Sequence, residues 1–139
     1  MAGKDAFERR KRQLIAENER AYGAEIRAKY GDQAVRDSEA RLMGQSEAQH
    51  ARAQALSEDI LRLLAEAVAA GDPAGPVARL LCEAHREWLT YYLPAYSKPL
   101  HLGLGRMYAE DARFAAYYDQ AVAGGAAFLR DAIEAYCAD

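Results

Sequence analysis

From residue 47 to about residue 70, the apolar positions Ala53, Leu56, Ile60, Leu63, Leu64 and Val68 fall at steps of three and four, which is one face of a helix. Ser46 and Gln49 form a capping-box pattern ahead of it, and Gly71, Asp72, Pro73 and Gly75 break the chain behind it. Pro76 suits the first turn of a following helix, whose face repeats Val77, Leu80, Leu81, Ala84, Trp88 and Tyr92 before Pro94 ends it. Shorter elements come next. Ser97-Lys98-Pro99 opens one carrying Leu100, Leu104, Met107 and Tyr108, and Asp111 caps another carrying Phe114, Tyr117 and Tyr118. A last helix from about Ala121 presents Phe128, Leu129, Ala132, Ile133 and Tyr136, with Gly124-Gly125 near its start permitting close backbone approach.

The first third is patterned differently. Asp5 with Glu8 fits a helix-opening capping box, and Phe7, Leu14, Tyr22, Ile26 and Tyr30 recur at helical spacing up to Gly31. That stripe is thin, so the helix gains little from packing and is expected to be only marginally ordered. A short helix after Asp32, using Val35, Leu42 and Met43, ends at Gly44. The expected organisation is a mobile helical segment over residues 1–45 and a core over 46–139, within one domain.

Composition narrows the fold class to all-α. Of the 139 residues 51% are hydrophobic, but 31 of these are alanine, so the interior must be close-packed. The β-branched residues are only four Val, four Ile and Thr90, too few for a sheet protein. Six or seven helices of unequal length suggest a globin-like orthogonal packing rather than a regular four-helix bundle. Charge then excludes several functions. The net charge of −3 argues against a nucleic-acid-coating protein, although residues 1–30 carry a net +3 that includes Arg9-Arg10-Lys11-Arg12. Four charges beside Asp5 and Glu8 are a weak signal, so no nucleic acid is expected to bind this chain alone. No apolar run is long enough to cross a membrane, and the N-terminus lacks a secretory core, so a cytoplasmic protein is expected.

Candidate chemistry is sparse except for aromatic rings. Cys82 and Cys137 are too few and too far apart for a zinc or redox motif, and they read as reduced, buried thiols. His50, His85 and His101 lie on three different predicted helices and form no metal-binding motif, so neither metal nor haem nor any other cofactor is expected. No nucleophile elbow, phosphate loop or nucleotide fingerprint occurs, and no catalytic residue is assigned; the chain does not read as an enzyme. Eight of the thirteen aromatics, however, lie between Trp88 and Tyr118. Neighbours on a helix point about 100° apart, so Tyr91-Tyr92 and Tyr117-Tyr118 cannot each bury both rings on one face. A tyrosine joins a flat apolar face to a hydroxyl, which suits bulky, partly polar organic ligands; the alternative is that these rings fill gaps beside alanines.

Residues 85–133 resemble the TipAS family, the antibiotic-recognition domain of TipA-like MerR-type regulators. The resemblance rests on His85-Arg86, on His101 followed by Gly103-Leu104 and Met107-Tyr108, and on Asp111, Arg113-Phe114 and Tyr117-Tyr118-Asp119. Phe128-Leu129-Arg130-Asp131-Ala132-Ile133 completes it, and Tyr30-Gly31-Asp32 with Ser38 is similar to an upstream family segment. The resemblance implies a globin-like α fold whose cleft holds thiopeptides or other multi-ring compounds, with an N-terminal part that orders over the ligand. On it, the cleft is expected to use Trp88, Tyr91, Tyr92, Tyr96, His101, Met107, Tyr108, Tyr117 and Tyr118, with Tyr22, Ile26 and Tyr30 as lid contacts. Relatives that capture thiopeptides covalently carry a cysteine where this chain has Tyr96, so binding here is expected to be reversible. The DNA-binding and coiled-coil segments of such regulators do not occur in these residues. That leaves an effector-sensing half of a regulator or a drug-sequestering resistance protein, against the rival of a module docking a partner helix or a second copy through exposed aromatics. Neither the natural ligand nor the oligomeric state is fixed by the sequence.

Overall fold

A computed structural model describes residues 2–93 and 95–138, with the side chain of Ala2 left out. The described residues form seven helices and no strand: α1 (Ala2–Tyr30), α2 (Asp32–Met43), α3 (Glu47–Ala70), α4 (Pro76–Thr90), α5 (Lys98–Glu110), α6 (Ala112–Asp119) and α7 (Gly125–Cys137). The all-α class and the number of helices agree with the sequence pattern. None of these helices is long and apolar enough to cross a membrane.

The caps explain most of the boundaries. The Ser46 amide donates to Gln49 Oε1 at 2.9 Å while the Gln49 amide donates to Ser46 Oγ at 3.1 Å, the reciprocal pair expected from the sequence. Ser97 Oγ accepts from the Leu100 amide, and Asp111 Oδ1 accepts from the Arg113 amide. Gly31 separates α1 from α2 at φ 88°, ψ 160°, a conformation closed to side chains with a Cβ. Three boundaries differ from expectation. Helix α1 begins at Ala2, leaving Asp5 in its first turn, where a carboxylate favours the helix dipole. Helix α4 stops at Thr90, so Tyr91 and Tyr92 lie in a turn, as the approach to Pro94 favours extended backbone. Helix α7 begins at Gly125 rather than near Ala121 because Gly124 sits at φ 76°, and Asp119 Oδ1 reaches over to accept from the Ala126 amide at 2.9 Å.

The chain divides into two compact units. The first holds α1, α2, the start of α3 up to Arg52 and the turn that begins at Thr90. In it α1 packs on α2, and the buried side chains are Val35 and Leu42 together with Lys11, Gln45 and His50. The second holds α3 from Ala53, α4 to Leu89, and α5, α6 and α7. Its core joins Ile60, Leu64, Leu81, Leu129 and Ile133 with Cys82, Tyr108, Tyr118 and several alanines. Gly125 lies deep in this unit: a Cβ there would stand 2.8 Å from the Tyr118 carbonyl oxygen and 3.1 Å from Leu64 Cδ2, so the close approach needs glycine.

Candidate functional site

In the second unit the candidate rings are joined by stacked, tilted and edge-to-face contacts. His85 sits on the Leu81–Cys82–Leu89 face of α4, and His101 on the face of α5 that also carries Gly105 and Tyr108; both histidines are completely buried. Their rings stack at 5.0 Å, with His85 Nδ1 2.9 Å from His101 Nε2. On the other side of His101, the Tyr96 hydroxyl lies 2.7 Å from Nδ1, and Cys137 Sγ lies 3.9 Å from the same nitrogen. From His85 the series continues to Trp88 at 5.7 Å and to Tyr108 at 5.6 Å. Tyr108 meets Phe114 and Tyr118, and Tyr118 meets Tyr117 at 5.0 Å.

Electrostatics keep this array neutral. Burial, helped by the neighbouring His101, pushes the His85 pKa down to about 3, and burial with the nearby Arg86 guanidinium brings His101 to about 4. Two neutral imidazoles satisfy their contact only when one donates and the other accepts. The direction is therefore tied to the Tyr96 hydroxyl: if it donates to His101, the proton on His101 points at His85. His85 Nε2 has no hydrogen-bond partner among the described residues and faces an aromatic environment. Burial pushes the Tyr96 phenol up to about 12 and the Cys82 thiol up to about 12, so neither ionises near neutrality. No group of three His, Cys, Asp or Glu among the described residues is arranged to hold a metal ion.

The structure thus brings Trp88, Tyr96, His101, Tyr108, Tyr117 and Tyr118 into one array and adds His85, which was not among the expected cleft residues. It grades their accessibility: His101, Tyr108 and Tyr118 are buried, Trp88, Tyr96 and Met107 are half-buried, and Tyr117 is 41% exposed. The Arg86 guanidinium lies 4.3 Å over the Tyr96 ring and covers part of its face.

Tyr91 and Tyr92 belong to the first unit, and both are half-buried. Tyr91 lines a recess of about 520 Å³ with Arg41, Gly44, Gln45, Gln49 and Thr90, a predominantly polar wall. Arg41 donates to the Thr90 carbonyl, and Gln45 Nε2 donates to the Tyr91 carbonyl at 2.8 Å. Among the expected lid residues Tyr22 is half-buried, while Ile26 and Tyr30 are exposed. Sequence reasoning missed Lys11, which it read only as part of the basic run Arg9-Arg10-Lys11-Arg12. Its ammonium is buried between Phe7, Glu8 and the end of α2.

Comparison with known proteins decides what this array belongs to. The model of the TipAS antibiotic-recognition domain matches residues 22–136, which include every expected cleft and lid residue but not the first 21 residues of the first unit. The chain belongs to the TipAS family. Among curated relatives, the HTH-type transcriptional activator mta of Bacillus subtilis is 30% identical over 123 residues, covering 88% of this chain and 48% of the relative. The HTH-type transcriptional activator TipA of Streptomyces coelicolor is 31% identical over 116 residues, covering 81% and 45% respectively. TipA of Streptomyces lividans matches over the same extent. The chain spans about half the length of these activators. No solved structure matches it significantly.

Proposed function

We propose that this TipAS domain is a non-enzymatic, cytoplasmic receptor for bulky multi-ring peptide antibiotics of the thiopeptide class. The family match over residues 22–136 carries the reading. The graded array supports it: Trp88, Tyr96 and Tyr117 keep accessible surface while each meets a buried ring, His85, His101 and Tyr118 respectively. Flat rings backed by a packed interior give large contact area at small entropic cost. Binding is reversible, since the residue in the position of the capturing cysteine is Tyr96, a phenol that stays protonated and faces His101. The N-terminal helices, with Tyr22, Ile26 and Tyr30, order further on the ligand, and part of the contact energy is spent on that ordering. In a longer chain of the kind the activators have, binding is the effector-sensing step of transcriptional regulation; in a free domain it sequesters the drug.

Calorimetry and thermal shift against a thiopeptide test this. Specific binding raises the melting temperature and gives a negative heat-capacity change, and mass spectrometry finds no stable adduct. Absence of binding, with concentration-dependent association of the chain in its place, favours a protein-docking module using Leu80, which is 54% exposed, and Tyr117.

A further inference from the structure

We infer that Lys11 and Gln45 form a coupling device that makes the docking of α1 and the conformation of the Tyr91-Tyr92 turn depend on each other. Lys11 is 1% exposed, in a helix whose apolar stripe is thin. Its three ammonium protons meet three acceptors: the Met43 carbonyl at 2.7 Å, the Gln45 carbonyl at 3.1 Å and Glu8 Oε1 at 3.0 Å. The Phe7 ring covers the ammonium at 4.4 Å. The Met43 carbonyl closes the C-terminal end of α2, where a cation is favoured by the helix dipole and by carbonyls lacking helical partners, and the Gln45 carbonyl lies two residues beyond that end. A buried ammonium is tolerated only while all these partners stay in place, so α1 docks in one register or not at all.

Gln45, itself buried, is where this anchorage turns into control of the turn. Its backbone amide bonds to Leu42, its carbonyl accepts from Lys11, its Nε2 donates to the Tyr91 carbonyl, and its Oε1 lies 3.3 Å from His50 Nδ1. His50 in turn meets the Phe7 ring edge-on at 5.4 Å. Two routes from α1 therefore converge on one glutamine, through Lys11 to its backbone and through Phe7 and His50 to its side chain. The same glutamine lines the recess beside Tyr91, so whatever seats there acts on α1 through Gln45. The coupling itself needs no ligand.

Hydrogen exchange on the full chain tests it. Lys11→Met speeds exchange of the amides at residues 90–93 by roughly fivefold or more, and Gln45→Met does the same for residues 3–30, although the replaced amide makes no recorded contact with α1. Residues 125–137 keep the parent rates in both variants, and the double variant shows less than the sum of the two effects. Acceleration confined to each substitution's own neighbours, or strictly additive effects, overturns the coupling. If Lys11→Met does not fold, Glu8→Ala removes one of the three acceptors and gives the same readout at smaller amplitude; unchanged exchange at 90–93 in that variant equally overturns it.

Discussion

The two compact units close their interiors with opposite chemistry. Around α7, the completely buried side chains include Leu64, Leu81, Cys82, Leu129 and Ile133, with the His85–His101 pair set among them. Around α1 and α2, the most deeply buried large side chain among the described residues is a lysine, accompanied by Gln45 and His50, with Val35 and Leu42 as the buried aliphatics described there. Apolar burial is non-directional, so it survives small shifts of its members. A hydrogen-bonded interior is directional, and losing one partner strands the others. The first unit is therefore suited to forming and releasing as a whole, and the second to holding rings in fixed places.

Substitutions sharpen this contrast in order of size. Leu81→Ala should cost about 3 kcal/mol, read as an earlier urea transition of Trp88 fluorescence, since Trp88 packs against that core. Lys11→Ala strands the Met43 and Gln45 carbonyls and should cost the first unit about 2 kcal/mol, seen as faster exchange of α1 amides with the Trp88 transition unmoved. Equal effects of both variants on both readouts would erase the distinction between the units.

Acid should act mainly on the second unit. Unfolded, both histidines take up protons below about pH 6.5; folded, burial holds His85 at about 3 and His101 at about 4. The unfolded chain thus binds more protons throughout that interval, and stability falls as the pH drops through it, by at most about 1.4 kcal/mol per pH unit for each ring. Denaturation midpoints measured between pH 7.5 and 4.5 check the sign, and a flat profile contradicts the buried pair. The smallest expected effect is that of Tyr117→Ala, an exposed ring whose loss should change stability by no more than about 0.5 kcal/mol yet weaken thiopeptide binding.

Much of this was legible because capping and periodicity are local. Ser46 with Gln49, Ser97, Asp111 and Pro76 placed helix starts correctly, and the outward–inward split of Tyr117 and Tyr118 follows from helical geometry alone. The boundaries that moved depend on contacts distant in sequence. Tyr91 and Tyr92 leave α4 where Arg41 and Gln45 bind the Thr90 and Tyr91 carbonyls, and α7 waits for Gly124 and for Asp119 to cap it. The buried polar residues were hidden by their type. Lys11 lies in register between Phe7 and Leu14, His50 in register with Ala53, and His85 with Leu81 and Leu89, so the stripe itself marked them as inward-facing. That His85 would meet His101 is tertiary information, since the two rings stand sixteen positions apart on successive helices.

The central claim, a thiopeptide receptor whose N-terminal helices order over its ligand, is tested most directly by hydrogen exchange with and without a saturating thiopeptide. The account predicts added protection concentrated in residues 3–52 and 90–93, with the amides of α7 little changed because that core is already closed. Binding without added protection in those segments, or protection spread evenly over all seven helices, would contradict it.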